Sequence, residues 1–463
     1  MVRYEDFLAS KRHIPPPCGF EVDKATMNAH MFEWQKDIAR WALRRGRAAL
    51  FEECGNGKTI QQLEFADQVA RRERKPVIIV APLTVGAQTM REARKFGYSA
   101  TICRKQDDVM PGINITNYEM LQHFDGGSFA GVVLDESSIL KNYTGKMRNQ
   151  IIEMFKSTPY RLSCTATPSP NDYMELGNQV EFLGIMSRTE MLATYFIHDG
   201  SDTSKWRIKG HAETRFWEWV ATWAVVLTCP GDLGYPNDGY VLPPMIVTEH
   251  IVDVKPDGTY NLFGGEIAKT LTERRDARRA SLRERCEKAA EIVAQAPNEQ
   301  WICWCDLNAE SELLAKVIPG SEEVRGNDKP DEKESALLRF ASGDLRVLVT
   351  KPSIAGFGMN WQQCHNMIFV GLSDSYEQMY QAIRRCYRFG QSLPVNVHIV
   401  TSAAEGAVKA NVDRKERQAA EMKRNMVRYT KEILRKDIRG QERIVIPYNP
   451  QVAMIVPEWV IGA

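Results

Sequence analysis

The chain has 463 residues, of which 43% are hydrophobic, and a formal net charge of +1. This length exceeds the size at which one hydrophobic core usually stops growing, so two domains of ordinary size are expected. No run approaches the roughly 20 apolar residues of a membrane helix, and the N-terminal residues lack the apolar core of a signal peptide, so we expect a soluble, cytoplasmic protein. The nearly balanced charge neither requires nor excludes a nucleic-acid partner. The ten cysteines are scattered, which favours buried thiols over a zinc site or a disulfide framework.

Short apolar or β-branched runs recur between longer helical stretches along the chain. The first half contains AALFEE, PVIIVAP, GINITNY, GVVLDES and RLSCTATP, and the second half contains QWICWC, LRVLVTK, NMIFVG and VNVHIVT. Continuous apolar strands that alternate with helices indicate a mainly parallel sheet sandwiched by helices. Two such series predict an α/β protein with two lobes in tandem.

The predicted boundary between the lobes lies in a segment rich in proline and glycine. PGDLGYPNDGYVLPP, residues 230–244, has the composition of a connector because proline and glycine interrupt regular structure. The first lobe is therefore assigned to residues 1–242, with a helical insertion at about 171–228. The second lobe is assigned to residues 243–463, with a helical extension at its C-terminus.

The first chemical motif follows the strand AALFEE and precedes a helical stretch. It contains two glycines, an asparagine, a lysine and a threonine: Gly55, Asn56, Gly57, Lys58 and Thr59. Glycines let backbone amides surround phosphate oxygens, a lysine offers charge to the β and γ phosphates, and a threonine hydroxyl can bind Mg²⁺. The pattern predicts a phosphate-binding loop. An ordinary glycine turn is the alternative, because Glu52 occupies the place of the usual first glycine.

A pair of acids, Asp135 and Glu136, ends the apolar strand of GVVLDES. Open α/β sheets bind their ligands at the carboxyl ends of the strands. Asp135 is therefore suited to hold Mg²⁺, and Glu136 to orient and deprotonate a water molecule. Paired acids after a strand can also be simple helix starts, but their position after the phosphate-binding loop favours the catalytic interpretation.

A third strand of the first half leads into SCTATPSPN. Thr165 and Thr167 are placed there to hydrogen-bond the acidic pair or the γ phosphate. Small hydroxyl side chains can change partners with small movements, so we expect them to couple hydrolysis to movement of the lobes. The alternative is an ordinary turn at which proline ends the strand.

Three arginines occur together in the second half, in YEQMYQAIRRCYRFGQ. Arg384, Arg385 and Arg388 are predicted to lie on one helix that ends at Gly390, with Arg385 and Arg388 on the same face. A guanidinium can stabilise charge on a phosphoryl group in transfer, and its delivery from another lobe makes hydrolysis depend on closure. A solvated basic helix is the alternative, which the flanking apolar strands disfavour.

In this order the motifs resemble helicase superfamily two, and within it the Swi/Snf-type DNA translocases. The resemblance extends from about Met31 to Lys415, and QAIRRCYRFGQ fits the family pattern Q-A-x-x-R-x-x-R-x-G-Q closely. Further stretches that resemble family motifs are MFEWQKDIARWAL, VAPLTVGAQTMREARKF, ITNYEML, DESSILKN and SCTATPSPND. The resemblance implies two RecA-like lobes that close on one ATP with Mg²⁺.

The resemblance also implies roles for individual residues. Gln35 would read adenine, and Gly358 and Gln381 would belong to the nucleotide site that Arg385 and Arg388 complete on closure. Nucleic-acid contacts would come from both lobes, at Thr84, Arg91, Asn117, Tyr118, Lys351 and Ser353. Such contacts are mainly to phosphates, so binding is expected to be independent of sequence and sensitive to salt.

Two features depart from the family pattern: Ser138 stands where most members have a histidine, and TATP replaces T-G-T-P. The resemblance implies a minimal motor of bacterial or phage-like type, expected to be monomeric because both halves of the ATP site lie in one chain. We expect it to translocate on or remodel double-stranded or branched DNA. One alternative is a strand-separating DNA or RNA helicase. Another is a clamp without turnover, which the presence of Glu136 and both arginines disfavours.

Overall fold

The computed structural model describes residues 17–142, 144–169, 172–198, 206–253, 278–355, 360–373 and 375–438. Within these ranges the chain forms a seven-stranded sheet, a six-stranded sheet and a two-stranded hairpin. Both large sheets are parallel and are flanked by helices, so the prediction of two α/β lobes is confirmed. None of the helices in this part of the chain is long and apolar enough to cross a membrane.

The first lobe is built on the seven-stranded sheet, with strands in the order β3-β4-β2-β5-β6-β1-β9. Its elements are α1 (Glu33–Arg45), β1 (Arg47–Glu52), α2 (Lys58–Glu73), β2 (Val77–Ala81), α3 (Leu83–Lys95), β3 (Ala100–Ile102), β4 (Ile113–Asn117), β5 (Gly131–Asp135), α4 (Lys146–Met154), β6 (Tyr160–Cys164), α5 (Leu176–Leu183), α6 (Arg188–Tyr195), β7 (Phe196–His198), β8 (Trp206–Ile208), α7 (Glu213–Val220) and β9 (Ala224–Leu227). Strands β5, β6 and β1 are neighbours, and the ends of parallel strands meet at one edge of a sheet. The three motifs that follow these strands are therefore side by side.

The predicted helical insertion at residues 171–228 needs correction. It contains α5, α6 and α7, but it also contains the antiparallel hairpin β7–β8 and ends in β9, which pairs in parallel with β1 at the edge of the main sheet. The run AVVL in β9 was assigned to a helix because a short apolar run does not distinguish a buried strand from a buried helix.

The second lobe is built on the six-stranded sheet, with strands in the order β10-β15-β14-β11-β13-β12. Its elements are β10 (Met245–Val252), α8 (Leu282–Ala294), β11 (Trp301–Cys305), α9 (Asn308–Val317), β12 (Ser321–Glu323), α10 (Pro330–Ser342), β13 (Val347–Thr350), α11 (Pro352–Ala355), β14 (Asn366–Val370), α12 (Tyr376–Ile383) and β15 (Val395–Ser402). The chain passes from one sheet to the other between β9 and β10.

The long helix α13 (Gly406–Ile438) connects the two lobes. Near its start Val408 packs in a core cluster of the second lobe, whereas Leu434 near its end packs in a core cluster of the first. The indole Nε1 of Trp41 donates a hydrogen bond to the Asp437 carboxylate at 2.7 Å. The assignment of the C-terminal helical extension to the second lobe is therefore wrong for its end, because apolar side chains there are buried against the first lobe.

A buried ion pair in the second lobe allows a test of stability. The side chains of Arg285 on α8 and Glu310 on α9 are both fully buried, with 2.7 Å between Nη1 and Oε1. Because removing one partner leaves a buried charge uncompensated, we expect Arg285→Met to lower the free energy of unfolding by about 3–5 kcal/mol in a urea titration. The control is Arg283→Met on the same helix, where the side chain is 80% exposed and an effect within about 0.5 kcal/mol is expected. Equal effects of the two changes would refute this role for the ion pair.

Candidate active site

The loop between β1 and α2 has a backbone suited to binding phosphate. Gly55 and Gly57 have φ values of 93° and 74°, in the left-handed region that glycine adopts without strain. Lys58 begins α2, and its Nζ donates to the carbonyl oxygens of Glu52 at 2.9 Å and Glu53 at 3.3 Å. The lysine charge and the amides at the start of the helix therefore lie in one turn, where an anion is favoured.

Gln35 connects this loop to α1. Its Oε1 accepts a hydrogen bond from the backbone N–H of Phe32 at 2.9 Å, and its Nε2 donates to the carbonyl oxygen of Asn56 at 2.9 Å. The Asn56 side chain in turn donates to the carbonyl oxygen of Thr228 at 3.3 Å. A Cβ atom at Gly57 would lie 2.5 Å from Gln35 Nε2, and the left-handed φ of 74° favours glycine at this position. The glutamine predicted to read adenine thus lies beside the phosphate loop and holds its backbone.

The acidic pair lies at the carboxyl end of β5, separated from the loop only by β6. Asp135 Oδ1 accepts hydrogen bonds from Gln62 Nε2 at 2.8 Å and from the Glu136 backbone N–H at 3.1 Å. Glu136 has φ 53° and ψ 53°, and it is one of two non-glycine residues with positive φ in the described part of the chain. Such a conformation costs energy and is concentrated at functional sites. The strain therefore supports a functional role for Glu136.

Four ionisable groups of this site influence one another. Burial raises the pKa of Asp135, and burial together with the Asp135 charge raises the pKa of Glu136 to about 7. Burial acts to lower the pKa of Lys58, but the nearby thiol and carboxyl groups hold it above its ordinary value. Arg385 of the second lobe is close enough to lower the pKa of both acids. Two positive groups thus compensate the buried acids only in part, because the pKa of each acid remains raised.

The donor set at the acidic pair fits a magnesium ion. Among the described residues no cluster of three or more His, Cys, Asp or Glu side chains could hold a metal. Mg²⁺ commonly uses one or two carboxylates together with substrate phosphates and water. Asp135 and the Thr59 hydroxyl are the protein groups available for such binding, and a cation there would relieve the destabilised charge of the buried acids.

The second lobe brings its arginines to the phosphate loop. Arg385 is buried, and its guanidinium donates to the carbonyl oxygen of Gln381 at 3.0 Å and to its side-chain Oε1 at 3.1 Å. A Cβ atom at Gly55 would lie 3.0 Å from the backbone N of Phe389 and 3.5 Å from Cβ of Arg388. The arginine segment therefore packs directly on the loop, and the lobes are closed. Gln381, predicted to bind the nucleotide, is fully buried and holds Arg385.

The prediction that the arginines lie on one helix ending at Gly390 is wrong. Helix α12 ends at Ile383, and Arg384, Arg385 and Arg388 follow in turns. The Arg385 backbone N–H donates a hydrogen bond to the carbonyl oxygen of Ala382, three residues earlier. The carbonyl oxygen of Gln381, four residues earlier, accepts a hydrogen bond from the Arg385 guanidinium instead. The regular helix is thus interrupted at Arg385, and Arg384 contacts Glu53 of the first lobe.

Thr165 and Thr167 form the turn after β6. The Thr165 hydroxyl accepts from the Thr167 backbone N–H at 3.1 Å and donates to Glu136 Oε2 at 3.5 Å. The Thr167 hydroxyl donates to Oε1 of Glu377, in the second lobe, at 3.5 Å. The residues predicted to couple hydrolysis to movement thus lie between the acidic pair and the second lobe.

Four of the predicted nucleic-acid contacts lie near the surface. Arg91 on α3 forms an ion pair with Glu334 on α10 of the second lobe, at 2.6 Å. Asn117 ends β4 and accepts a hydrogen bond from a backbone N–H three residues later. Lys351 follows β13, and Ser353 in α11 is exposed. Asn117 and Lys351 lie at strand ends, whereas Arg91 lies within α3, and their binding of nucleic acid stays a prediction.

Three further residues were predicted: Tyr118 and Thr84 as nucleic-acid contacts, and Gly358 as part of the nucleotide site. Tyr118 is 2% exposed, and its hydroxyl donates to the carbonyl oxygen of Asp135 at 2.6 Å. Its prediction as a nucleic-acid contact is therefore wrong, because burial leaves it only a supporting role beneath the acidic pair. Thr84 is the second residue of α3. Gly358 lies outside the described residues.

Glu53, next to the phosphate loop, was not predicted as a site residue. Its carboxylate forms an ion pair with Lys423 of α13, accepts a hydrogen bond from the Tyr380 hydroxyl and lies 3.4 Å from the guanidinium of Arg384. These partners are more than 320 residues away in the sequence, so no local pattern could have indicated them. A cavity of about 260 Å³ opens beside Glu53, lined largely by α12, α13 and the turn after β6 at residues 166–169.

Comparison with known families agrees with this geometry. Residues 34–196 match the SNF2-related domain, and residues 284–390 match the helicase conserved C-terminal domain. Two parallel-sheet lobes, with a phosphate loop and acidic pair on one and arginines on the other, define a two-lobe nucleotide hydrolase. The chain belongs to the Swi/Snf-type ATPases of helicase superfamily two.

Two known proteins are similar to part of this chain. The SWI/SNF-related matrix-associated actin-dependent regulator of chromatin subfamily A-like protein 1 of Xenopus tropicalis is 26% identical over 182 residues, which is 37% of this chain and 19% of that protein. The DNA annealing helicase and endonuclease ZRANB3 of Mus musculus is 26% identical over 175 residues, which is 34% of this chain and 16% of that protein. The chain thus matches less than a fifth of the length of either relative.

Most of the chain also aligns with one solved structure. It is the SWI2/SNF2 ATPase core of Sulfolobus solfataricus in complex with dsDNA. The TM-score is 0.43 at 17% sequence identity, and the alignment covers 90% of this chain and 99% of that one.

Proposed function

We propose that this chain is an ATP-driven motor that hydrolyses ATP between its two lobes in order to translocate on, or remodel, double-stranded DNA. The observation that carries the proposal is the packing of the segment with Arg385 and Arg388 on the phosphate loop at Gly55. A site completed by two lobes can convert each hydrolysis event into opening and closing. One relative is a DNA annealing helicase and endonuclease, which favours DNA as the partner.

In the proposed reaction each protein group has a separate task. The loop amides and Lys58 bind the β and γ phosphates, and Glu136 accepts a proton from the attacking water. Arg385 and Arg388 stabilise the charge on the phosphoryl group in transfer. Mg²⁺, held by Asp135 and the hydroxyl of the loop threonine, would neutralise phosphate charge when bound. Because the arginines come from the second lobe, hydrolysis requires closure.

DNA binding is proposed to use both lobes. Arg91 and Asn117 of the first lobe and Lys351 and Ser353 of the second are polar side chains suited to phosphate oxygens, which carry no sequence information. Alternating grip by the two lobes would move the protein along one strand of the duplex. We further propose that it acts as a monomer in the cytoplasm of a bacterial or virus-infected cell, since one chain supplies both halves of the site.

The substrate preference can be measured by steady-state ATP hydrolysis. Reactions would contain no nucleic acid, matched duplex DNA, single-stranded DNA, forked DNA or RNA, each at low and moderate salt. We expect plain duplex to stimulate hydrolysis and the stimulation to fall as salt rises, since binding releases counterions. Stimulation by forks, single strands or RNA alone would instead support a strand-separating helicase. Turnover equal to that of Glu136→Gln under every condition would identify a clamp.

A further inference from the structure

Helix α12 presents one polar face to the first lobe. Glu377 and Tyr380 are three residues apart on this helix and therefore lie on one side of it, and Arg384 is the residue directly after the helix. Tyr380 and Arg384 contact Glu53 beside the phosphate loop. Glu377, one turn earlier, reaches a different part of the first lobe.

Glu377 contacts two segments of the first lobe at once. One carboxylate oxygen forms an ion pair with Lys141, the last residue of the 3-10 turn Ser137–Lys141, and the other accepts the hydrogen bond from Thr167. The Glu377 side chain is only 12% exposed, so its contacts are largely shielded from water. The turn is itself anchored, since the carbonyl oxygen of Lys141 accepts a hydrogen bond from Asn178 on α5 at 3.0 Å.

These two segments flank Glu136. The 3-10 turn begins directly after Glu136, and Thr167 is joined to it through Thr165, whose hydroxyl donates to the Glu136 carboxylate. The backbone of Glu136 is left-handed, so the direction of its carboxylate depends on how both flanks are held. In the turn itself Ser138 is buried and offers only a short side chain for contact with the second lobe.

We infer that Glu377 is a positioning residue, which transmits closure of the second lobe to Glu136 through Lys141 and Thr167. The inference rests on the proposed role of Glu136 in activating water. In the closed arrangement the carboxylate of Glu377 holds both flanks of Glu136, and separation of the lobes releases both together. The ion pair with Lys141 offsets part of its charge, which still contributes to the raised pKa of Glu136.

A charge exchange tests this inference. Glu377→Lys and Lys141→Glu each place like charges opposite one another, and each is expected to lower kcat for DNA-stimulated hydrolysis about tenfold or more. The KM for ATP should stay within about twofold, because neither residue contacts the phosphate loop. The double variant recreates the ion pair but not the acceptor for Thr167, so it should recover only part of the lost kcat. Glu377→Gln, which keeps an acceptor for Thr167 but loses the charge, should be intermediate.

A matched variant at an exposed glutamate serves as the control. Glu312→Lys makes the same charge change on α9, where the side chain is 49% exposed, and should leave hydrolysis unchanged. A double variant as impaired as the sum of the single variants, or single variants that raise KM with kcat intact, would overturn the role of Glu377. If Glu377→Lys fails to fold by circular dichroism, Thr167→Val combined with Glu377→Gln carries the test. Together the two changes should lower kcat by less than the sum of their separate effects. A fully additive loss would overturn the role of Glu377.

The parent protein and Glu136→Gln separate this inference from the proposed function. Hydrolysis by the parent that Glu136→Gln abolishes supports the proposed function. A failed charge exchange then refutes only the positioning role. Turnover in the parent that does not depend on Glu136 would overturn both.

Discussion

Lys58→Ala is expected to abolish ATP hydrolysis. The ammonium group of Lys58 lies in the phosphate loop, between the carbonyl oxygens of Glu52 and Glu53 at 2.9 and 3.3 Å. It is the lysine that can compensate the β and γ phosphates as charge develops in the transition state, and preorganised charges of this kind commonly contribute about a hundredfold or more. Phosphate release at saturating DNA should therefore fall to the background of the assay.

An exposed lysine of the same lobe supplies the control for this change. Lys105, 61% exposed and paired with an exposed aspartate, should tolerate alanine without loss of activity. The two variants should have similar circular dichroism spectra and similar DNA binding, so that a loss of turnover reports on the loop. Normal hydrolysis by a folded Lys58→Ala protein would refute the assignment of the phosphate-binding loop.

Arg388→Ala is expected to leave ATP binding within a few-fold of the parent while hydrolysis falls by roughly a thousandfold, the lower limit for an arginine supplied to phosphoryl transfer. Arg388 belongs to the second lobe, yet its Cβ lies 3.5 Å from the place that a Cβ atom at Gly55 would take. Burial and the neighbouring Arg385 lower the pKa of Arg388 to about 10, so its charge persists at neutral pH. Titration with a fluorescent ATP analogue and single-turnover hydrolysis measure the two effects separately.

Two further variants sharpen this prediction. Arg388→Lys keeps the charge but loses the planar guanidinium, so it should remain strongly impaired. Arg339→Ala removes an arginine from α10 that is 47% exposed and should have little effect. Loss of ATP binding in Arg388→Ala, with normal turnover for each ATP that still binds, would contradict its proposed role.

Much of the fold could be predicted from the sequence because parallel strands are buried on both faces. The runs VIIVA in β2 and GVVL in β5 are continuously apolar, and all their residues are buried. The edge strands were harder to identify. β10 pairs only on one side and is largely exposed, so its sequence MIVTEHIV has no continuous apolar run. β9 is buried, but its apolar run continues that of the helix before it.

The candidate site, like the fold, could be predicted from the sequence only in part. The loop residues could be predicted because phosphate binding depends on adjacent backbone amides and glycines, which are contiguous in the sequence. The helical placement of the arginines was predicted incorrectly, because it depends on where α12 ends. Tyr118 was misassigned because an aromatic residue after a strand can equally be a surface contact or part of the core.

The sequence by itself determined which groups are available for chemistry and on which lobe each lies, because strand ends, glycine conformations and acidic pairs are local properties. Only the tertiary structure decided which groups act together. Glu377 lies 210 residues from Thr167, and Tyr380 lies 327 residues from Glu53, yet each pair is in contact. Hydrogen bonds and ion pairs depend on separation in space, and closure of two lobes joins residues whose distance along the chain carries no information about that separation.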